Sequence, residues 1–172
     1  MYSFDPEAPF TYVEPLDEES IASFLYRFRQ AKGNRISSPS YLGELADIGF
    51  AVCRWEKLRF NPRPSLEELE GISRITRVEV DRVTAMFPPT GQSSPPEPIR
   101  FCAACCTAEA YHRVNWHLKS TAGCNRHQLR LLSKCPGCEK RFELPDLVGK
   151  KGCQKCHMSF KSMVKRQKPI DA

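Results

Sequence analysis

The chain has 172 residues, with 26 Lys and Arg against 20 Asp and Glu, 14 Pro and 9 Cys, which suits one ordinary domain or two small ones and is too short for a large enzyme. Its 41% hydrophobic and 27% charged residues exclude a wholly disordered or fibrous chain. No run approaches the roughly 18 apolar residues of a membrane helix, and the opening MYSFDPEAPFTY has no apolar h-region, so a cytoplasmic protein with no membrane partner is expected.

Charge and cysteine divide the chain. Residues 1–100 carry 12 basic and 15 acidic side chains and residues 101–172 carry 14 and 5, so the two parts are −3 and +9. Eight of the nine cysteines follow position 100. The front part is expected to fold by burying apolar faces and the back part to be stapled.

After an extended leader with Pro6, Pro9 and Pro15, the residues Ile21, Phe24, Leu25 and Phe28 recur at helical spacing, with Asp17 as N-cap and Gly33 as stop. Ser38 and Pro39 open a second helix bearing Leu42, Leu45 and Ile48, and Trp55, Leu58 and Phe60 mark a third short piece. Ser65 with Glu68 and Thr76 with Glu79 read as two capping boxes, placing one helix on each side of a turn at Gly71. Helix, glycine turn, helix is the pattern of a helix-turn-helix. Its second helix, however, sets Arg77 and Arg82 against Glu79 and Asp81, a zero net charge that favours scaffolding or protein binding over reading DNA.

The fold class predicted is a small two-part protein: an all-α N-terminal helix-turn-helix domain over 1–87, then two zinc-finger or zinc-ribbon units of α plus short β. The segment 88–100, PPTGQSSPPEPIR, reads as a semi-stiff linker. The units cover 101–132 and 133–160, and the basic tail 161–172 loses its apolar period and is expected to lack order when alone.

Four ligand pairs follow in order: Cys102 and Cys105, Cys124 and His127, Cys135 and Cys138, Cys153 and Cys156, each with a two-residue gap. Such a gap lets a tight knuckle aim two ligands at one Zn²⁺, so two structural zinc ions are predicted. In a chain expected to sit in a reducing compartment, metal is favoured over disulfides. Cys53 and Cys106 are read as free thiols, and His112, His117 and His157 as packing or solvent-facing residues. Spacing leaves sequential, nested and interleaved pairing open. Interleaving would give the cross-braced RING finger of a ubiquitin ligase, but seven residues separate His127 from Cys135 where a RING has two or three. Sequential pairing closes shorter loops. Tyr111, Arg113, Trp116 and Leu118 are expected to cover the first site, with base stacking by Trp116 the sharper alternative.

No phosphate loop, nucleophile elbow or open metal site is present, which argues against an enzyme and against a small-molecule substrate. The back part stays basic with both sites loaded, and Lys150, Lys151, Lys155, Lys161, Lys165 and Arg166 are candidates for contact with a DNA or RNA backbone.

Two motifs carry a family resemblance. PLDEESIASFLYR, through Glu19, Ser20, Ile21, Ser23, Phe24, Leu25 and Arg27, resembles the opening P…E-S-L-x-S-W-L-x-R of the TniQ/TnsD transposition proteins, with Phe24 where Trp is usual. FCAACCTAEAYHRVNWHLKSTAGCNRHQLRLLSKCPGC is similar to that family's Cys pair, Tyr-x-Arg-x-x-Trp, C-x2-H and C-P-x-C series, although no Pro follows Cys102. The short length resembles the TniQ of CRISPR-associated transposons with a single-protein, type V-K-like effector. The resemblance implies a bacterial, DNA-associated, non-catalytic adaptor between an RNA-guided CRISPR effector with its guide RNA and the filament of the AAA+ ATPase TnsC. The competing readings are a RING-like ubiquitin ligase and a small zinc-containing DNA-binding regulator.

Overall fold

The structure, a computed structural model, describes residues 10–171. Pro6 and Pro9 of the leader lie outside them.

The first helix, α1 (Ile21–Gln30), buries Ile21, Phe24, Leu25 and Phe28 completely, as their spacing predicts. Its cap differs from expectation. Ser20 is extended and its hydroxyl accepts from Ser23 N–H at 3.2 Å, while Asp17 lies four residues before the first helical turn. The helix also stops before Gly33, at Ala31. Gly33 serves a different purpose: a Cβ there would collide with the Thr11 side chain of the leader crossing over it.

Helix α2 (Pro39–Leu45) starts with Ser38 accepting from Tyr41 N–H and Pro39 in the first turn, and α3 (Ala51–Glu56) follows after Gly49 at φ 59°. Arg29 of α1 forms two 2.7 Å hydrogen bonds with Glu56 of α3, both side chains under 10% exposed. A charge pair this dry fixes the α1–α3 register, and loss of either partner would strand a buried charge.

Helices α4 (Leu66–Thr76) and α5 (Val80–Ala85) complete the front part. The Ser65–Glu68 capping box forms as predicted. The turn does not fall at Gly71, which lies inside α4. A Cβ at Gly71 would sit 2.6 Å from the Ala46 carbonyl oxygen and 2.7 Å from Ile48 Cγ2, so this glycine lets α4 press against the chain leaving α2. The second capping box is absent too. Thr76 ends α4, its hydroxyl donates back to Ile72 O at 2.8 Å, and the chain turns at Arg77, φ 59°. The predicted helix–Gly71–helix unit is therefore one long helix and a second of only six residues.

Phe24, Phe28, Leu42, Val52, Trp55, Ile72 and Val83 form the front core, with Trp55 edge-on to Phe87 at 5.0 Å. The back core is built from a triangle of Phe101, Phe142 and Phe160, with Trp116 and six buried cysteines. It contains α6 (Ala103–Ala108), the two-residue antiparallel strands β1 (Gly123–Cys124) and β2 (Leu129–Arg130), and α7 (Phe160–Val164).

Two stretches read as loose are held in place. In the 88–100 segment Ser94 N–H donates to His117 O at 2.7 Å and Gln92 O accepts from Lys119 N–H at 2.8 Å. The tail is folded, not disordered: Met163 is fully buried, Arg130 N–H donates to Lys168 O, and Ile170 N–H to Gln128 O. Its apolar residues Met163 and Val164 join the back core, where α7 lies against α6, and the helix is too short for a period to mark them.

Candidate metal centres and the joint beside them

The chain brings the eight predicted ligands into two groups of four: Cys102, Cys105, Cys124 and His127, and Cys135, Cys138, Cys153 and Cys156, with the ligand atoms of each group within 4.8 Å of one another. Pairing is sequential, so the interleaved RING arrangement is not formed. In the first group Cys105 Sγ is 3.5 Å from Cys124 Sγ and 3.3 Å from His127 Nδ1, and Cys102 Sγ is 3.7 Å from that same nitrogen. In the second, Cys135–Cys156 and Cys138–Cys153 sulfur distances are both 3.6 Å.

These distances discriminate. A disulfide would put sulfurs about 2.05 Å apart. Four ligands on a tetrahedral ion, with zinc–sulfur bonds of about 2.3 Å, stand about 3.8 Å from one another. Three sulfurs with one imidazole nitrogen in the first group, and four sulfurs in the second, crowded to that separation, fit an ion such as Zn²⁺.

Local backbone explains the crowding. Three of the pairs share one knuckle: Cys124, Cys135 and Cys153 each accept, through their carbonyl, the N–H four residues on, from Gln128, Glu139 and His157 respectively. Those three residues all take the left-handed conformation, φ 54°, 62° and 63°. His157 is thus an exposed corner of a knuckle and not a ligand. The N–H groups of Gly137 and Lys155 point at the sulfurs of Cys135 and Cys153 at 3.4 Å, which favours thiolate there. Cys102 and Cys105 differ, since Cys102 caps α6 and Cys105 sits in its first turn.

Neighbouring thiols alter one another. The hydrogen bond from Cys105 draws Cys102 down to about 5 and pushes Cys105 up. Burial raises Cys135 to about 11. Cys106, buried beside the first group, is pushed up to about 12 by burial, so it stays a neutral thiol at pH 7. Cys53 lies in α3, away from both groups.

One residue at the first cluster escaped sequence reasoning. Gln167, buried, donates to Cys102 Sγ at 3.5 Å and to Arg130 O at 2.9 Å and accepts from Ala103 N–H at 3.1 Å. It sits in the tail, where neither period nor spacing distinguishes it from the lysines around it.

The joint between the two parts is built from the two sequence signatures. Glu19, 2% exposed, accepts from Leu16 N–H and Ser23 Oγ–H and lies 3.3 Å from Arg27 Nε. Burial raises its pKa while those partners oppose the rise. Ser20 N–H donates to His112 O, His112 N–H donates to Ser23 Oγ, and His112 Nδ1 is 2.9 Å from Ser20 Oγ. Tyr111 Oη–H and Arg113 Nη1–H both donate to Asp17 O, and Arg126 pairs with Asp17 and Glu18. Asp17 is therefore an anchor for the back part, which is why it does not cap α1.

Trp116 is 3% exposed, edge-on to His112 at 5.8 Å, so its ring is packed and closed to a base. His117 lies edge-on to Phe60 at 5.4 Å. Burial, with the charge of nearby Arg100 and, for His112, of His117, holds His112 down at about 3 and His117 at about 4. Both are neutral packing residues at pH 7.

The six basic candidates are all exposed. Lys150, Lys151 and Lys155 lie on and just before the Cys153 knuckle, and Lys161 and Lys165 are one turn apart along and just past α7. The Gly152–Ser159 bridge and the bond from Phe160 N–H to Lys151 O bring these two stretches side by side. None forms an ion pair with a described residue, and the Arg166 side chain donates to Pro136 O.

The family model of TniQ matches residues 10–131, which takes in the front core, the joint and the whole first cluster. The chain belongs to the TniQ family. TniQ membership marks it as a transposition-associated protein, and the match ends just before Cys135, so the second cluster lies beyond the span that defines the family here. A comparison with curated proteins finds no match. No helix among the described residues is long and apolar enough to cross a membrane.

Proposed function

We propose that this TniQ protein is a non-catalytic adaptor that links an RNA-guided CRISPR target-selection complex, with its guide RNA, to the filament of the AAA+ ATPase TnsC. The observation that carries the reading is the TniQ match over 10–131, a span in which the two family signatures form one joint between helical and cluster-bearing parts. A protein that holds two partners at a fixed separation needs such a joint. The front part, −3, and the back part, +9, offer different surfaces to different partners.

In this reading Cys102, Cys105, Cys124 and His127 hold one Zn²⁺ and Cys135, Cys138, Cys153 and Cys156 a second. Zinc with four protein ligands contributes folding free energy and has no open position for a substrate. The pair α4–α5 serves packing or protein binding, in keeping with its neutral charge. Lys150, Lys151, Lys155, Lys161, Lys165 and Arg166 meet nucleic-acid backbone.

The test is cosedimentation with a TnsC-type ATPase, ATP and double-stranded DNA, each also omitted in turn. Stoichiometric pelleting only when the filament forms supports the adaptor. No association under any condition, with two zinc ions per chain confirmed, refutes it. The small DNA-binding regulator predicts instead tight, sequence-specific binding to duplex DNA by the protein alone.

A further inference from the structure

The two clusters differ in what they show to solvent. In the first group Cys102, Cys105 and Cys124 are buried and the exposed member is His127, an imidazole. In the second, Cys135 and Cys153 are buried, Cys138 is half-buried and Cys156 is exposed. Of the nine cysteines in the chain, Cys156 alone is exposed.

Cys156 opens on a recess of about 490 Å³ whose lining includes Gly137, Met158 and Arg166, ample room for a small oxidant. Gly137 keeps that approach clear, because a Cβ there would stand 3.5 Å from Cys156 Sγ and 2.6 Å from Met158 Cε. The N–H groups of Gly137 and Lys155 engage the sulfurs of Cys135 and Cys153, whereas among the described residues no backbone N–H is directed at Cys156 Sγ. Hydrogen bonds to sulfur occupy the lone pairs that an oxidant must meet, so Cys156 is the least shielded of the four. A second thiol stands ready on the other knuckle: Cys135 Sγ lies 3.6 Å from Cys156 Sγ.

We propose that Cys156 is a site of oxidative modification, at which a peroxide starts a Cys135–Cys156 disulfide that dismantles the second cluster and leaves the first intact. The inference rests on the reading of the second group as a zinc site. In the first step the Cys156 thiolate attacks one oxygen of hydrogen peroxide; an S–O bond forms, the O–O bond breaks and hydroxide leaves, giving a sulfenic acid. In the second, the Cys135 thiolate attacks that sulfur; the S–S bond forms and the S–O bond breaks, releasing a second hydroxide. The two thiolates together lose two electrons and the peroxide gains them. The sulfurs have only to close from 3.6 Å to the disulfide length of about 2.05 Å. Cys138 and Cys153 alone then face a position that needs four ligands, so the ion is lost. Those two sulfurs are also 3.6 Å apart, but neither is exposed, so they do not react first. In the first group the exposed imidazole of His127 cannot join a disulfide, and Gln167 donates to buried Cys102. The stretch released by oxidation carries Lys150, Lys151 and Lys155.

The full chain, purified with zinc under reducing conditions, is first assayed for metal. Two ions per chain are expected, and a second group without an ion refutes the zinc reading and this proposal with it. Hydrogen peroxide is then added in substoichiometric steps, released zinc is read with pyridylazoresorcinol, and thiols are mapped by differential alkylation and mass spectrometry. One ion per chain should leave in step with a Cys135–Cys156 disulfide, while Cys102, Cys105 and Cys124 stay reduced, and dithiothreitol with added zinc should restore the starting state. Cys156→His gives the second group the exposed imidazole that the first one has; it should keep two ions and release zinc at least tenfold more slowly than the parent. If that variant does not hold two ions, the disulfide map of the unmodified chain still decides. No release, loss of both ions together, a first disulfide that omits Cys156, or equal release rates from parent and zinc-loaded variant would each overturn the proposal. Cosedimentation with the ATPase is read under reducing conditions, so the adaptor and the oxidation site can each fail alone.

Discussion

The two parts of the molecule reach order by different routes. In the front part large side chains exclude water: Phe24, Phe28, Trp55, Leu42 and Ile72 are fully buried, and five short helices converge on them. In the back part six of the thirteen buried core residues are cysteines. Sulfur groups crowded to within 4 Å, with regular structure reduced to two-residue strands and one-to-two-turn helices, leave little apolar area to offset chain entropy. The first core is self-sufficient in kind; the second gathers two groups of four Cys and His side chains that could each hold an ion. The comparison teaches that equal burial can rest on unequal physics, and it can be broken or sharpened by experiment.

The largest effect is expected from the clusters. Cys135→Ser should remove one zinc ion per chain and unfold the segment around Phe142 and Phe160, since structural zinc binding is worth about 10–16 kcal/mol in small modules. Zinc analysis with near-ultraviolet circular dichroism reads both, and full zinc content with native stability would contradict the ligand assignment. Phe24→Ala tests the other part. It should cost about 3–5 kcal/mol with zinc content unchanged, measured by urea denaturation. A similar cost of about 3–5 kcal/mol is expected for Glu56→Gln, which leaves the Arg29 guanidinium buried without its anion.

Gly71→Ala separates two readings of one residue. At a turn or an open helix site alanine would be neutral or stabilising by up to about 1 kcal/mol. Against the Ala46 carbonyl it should destabilise by about 1–3 kcal/mol. A raised melting temperature would refute the close approach.

The mildest probe is acid. His112 and His117 are held at about 3 and 4, below the ordinary value of 6.5. The unfolded chain therefore takes up protons that the folded chain refuses, and the stability this provides is complete above pH 6.5 and shrinks as pH falls from there toward 4. Any metal held by the two clusters would be lost as their ligands protonate over the same range, so the informative quantity is a difference. His117→Phe, which keeps an aromatic edge beside Phe60, should show a shallower loss of stability between pH 6.5 and 4.5 than the parent. Equal slopes would show that His117 takes no part.

Much of the candidate site was legible in the sequence. A two-residue gap between ligands is a local geometric demand, met by a knuckle whose hydrogen bond spans four residues in three pairs and by the first turn of α6 in the other, so spacing alone specified the four pairs. Likewise the Ile21–Phe28 period, the Ser38–Pro39 start and the Ser65–Glu68 box are contacts within one turn of helix, and they are where they were expected. What failed was nonlocal. Gly71 as a turn and Gly71 as a close contact look identical along the chain, because the difference lies in Ala46, 25 residues earlier. Asp17 as a helix cap and Asp17 as an anchor for Tyr111 and Arg113 differ in the same way.

By itself, then, the sequence determined the four Cys and His pairs, most helices, the charge asymmetry and the family resemblance, all of which depend on residue identity and short spacing. Tertiary structure decided that the clusters pair sequentially, that Gln167 and the tail close over the first one, that Glu19, Ser20 and Ser23 lock onto His112, and that the Pro-rich segment is pinned to the cluster-bearing part. Each of these depends on residues distant in sequence becoming neighbours, and no local pattern encodes which neighbours they will be.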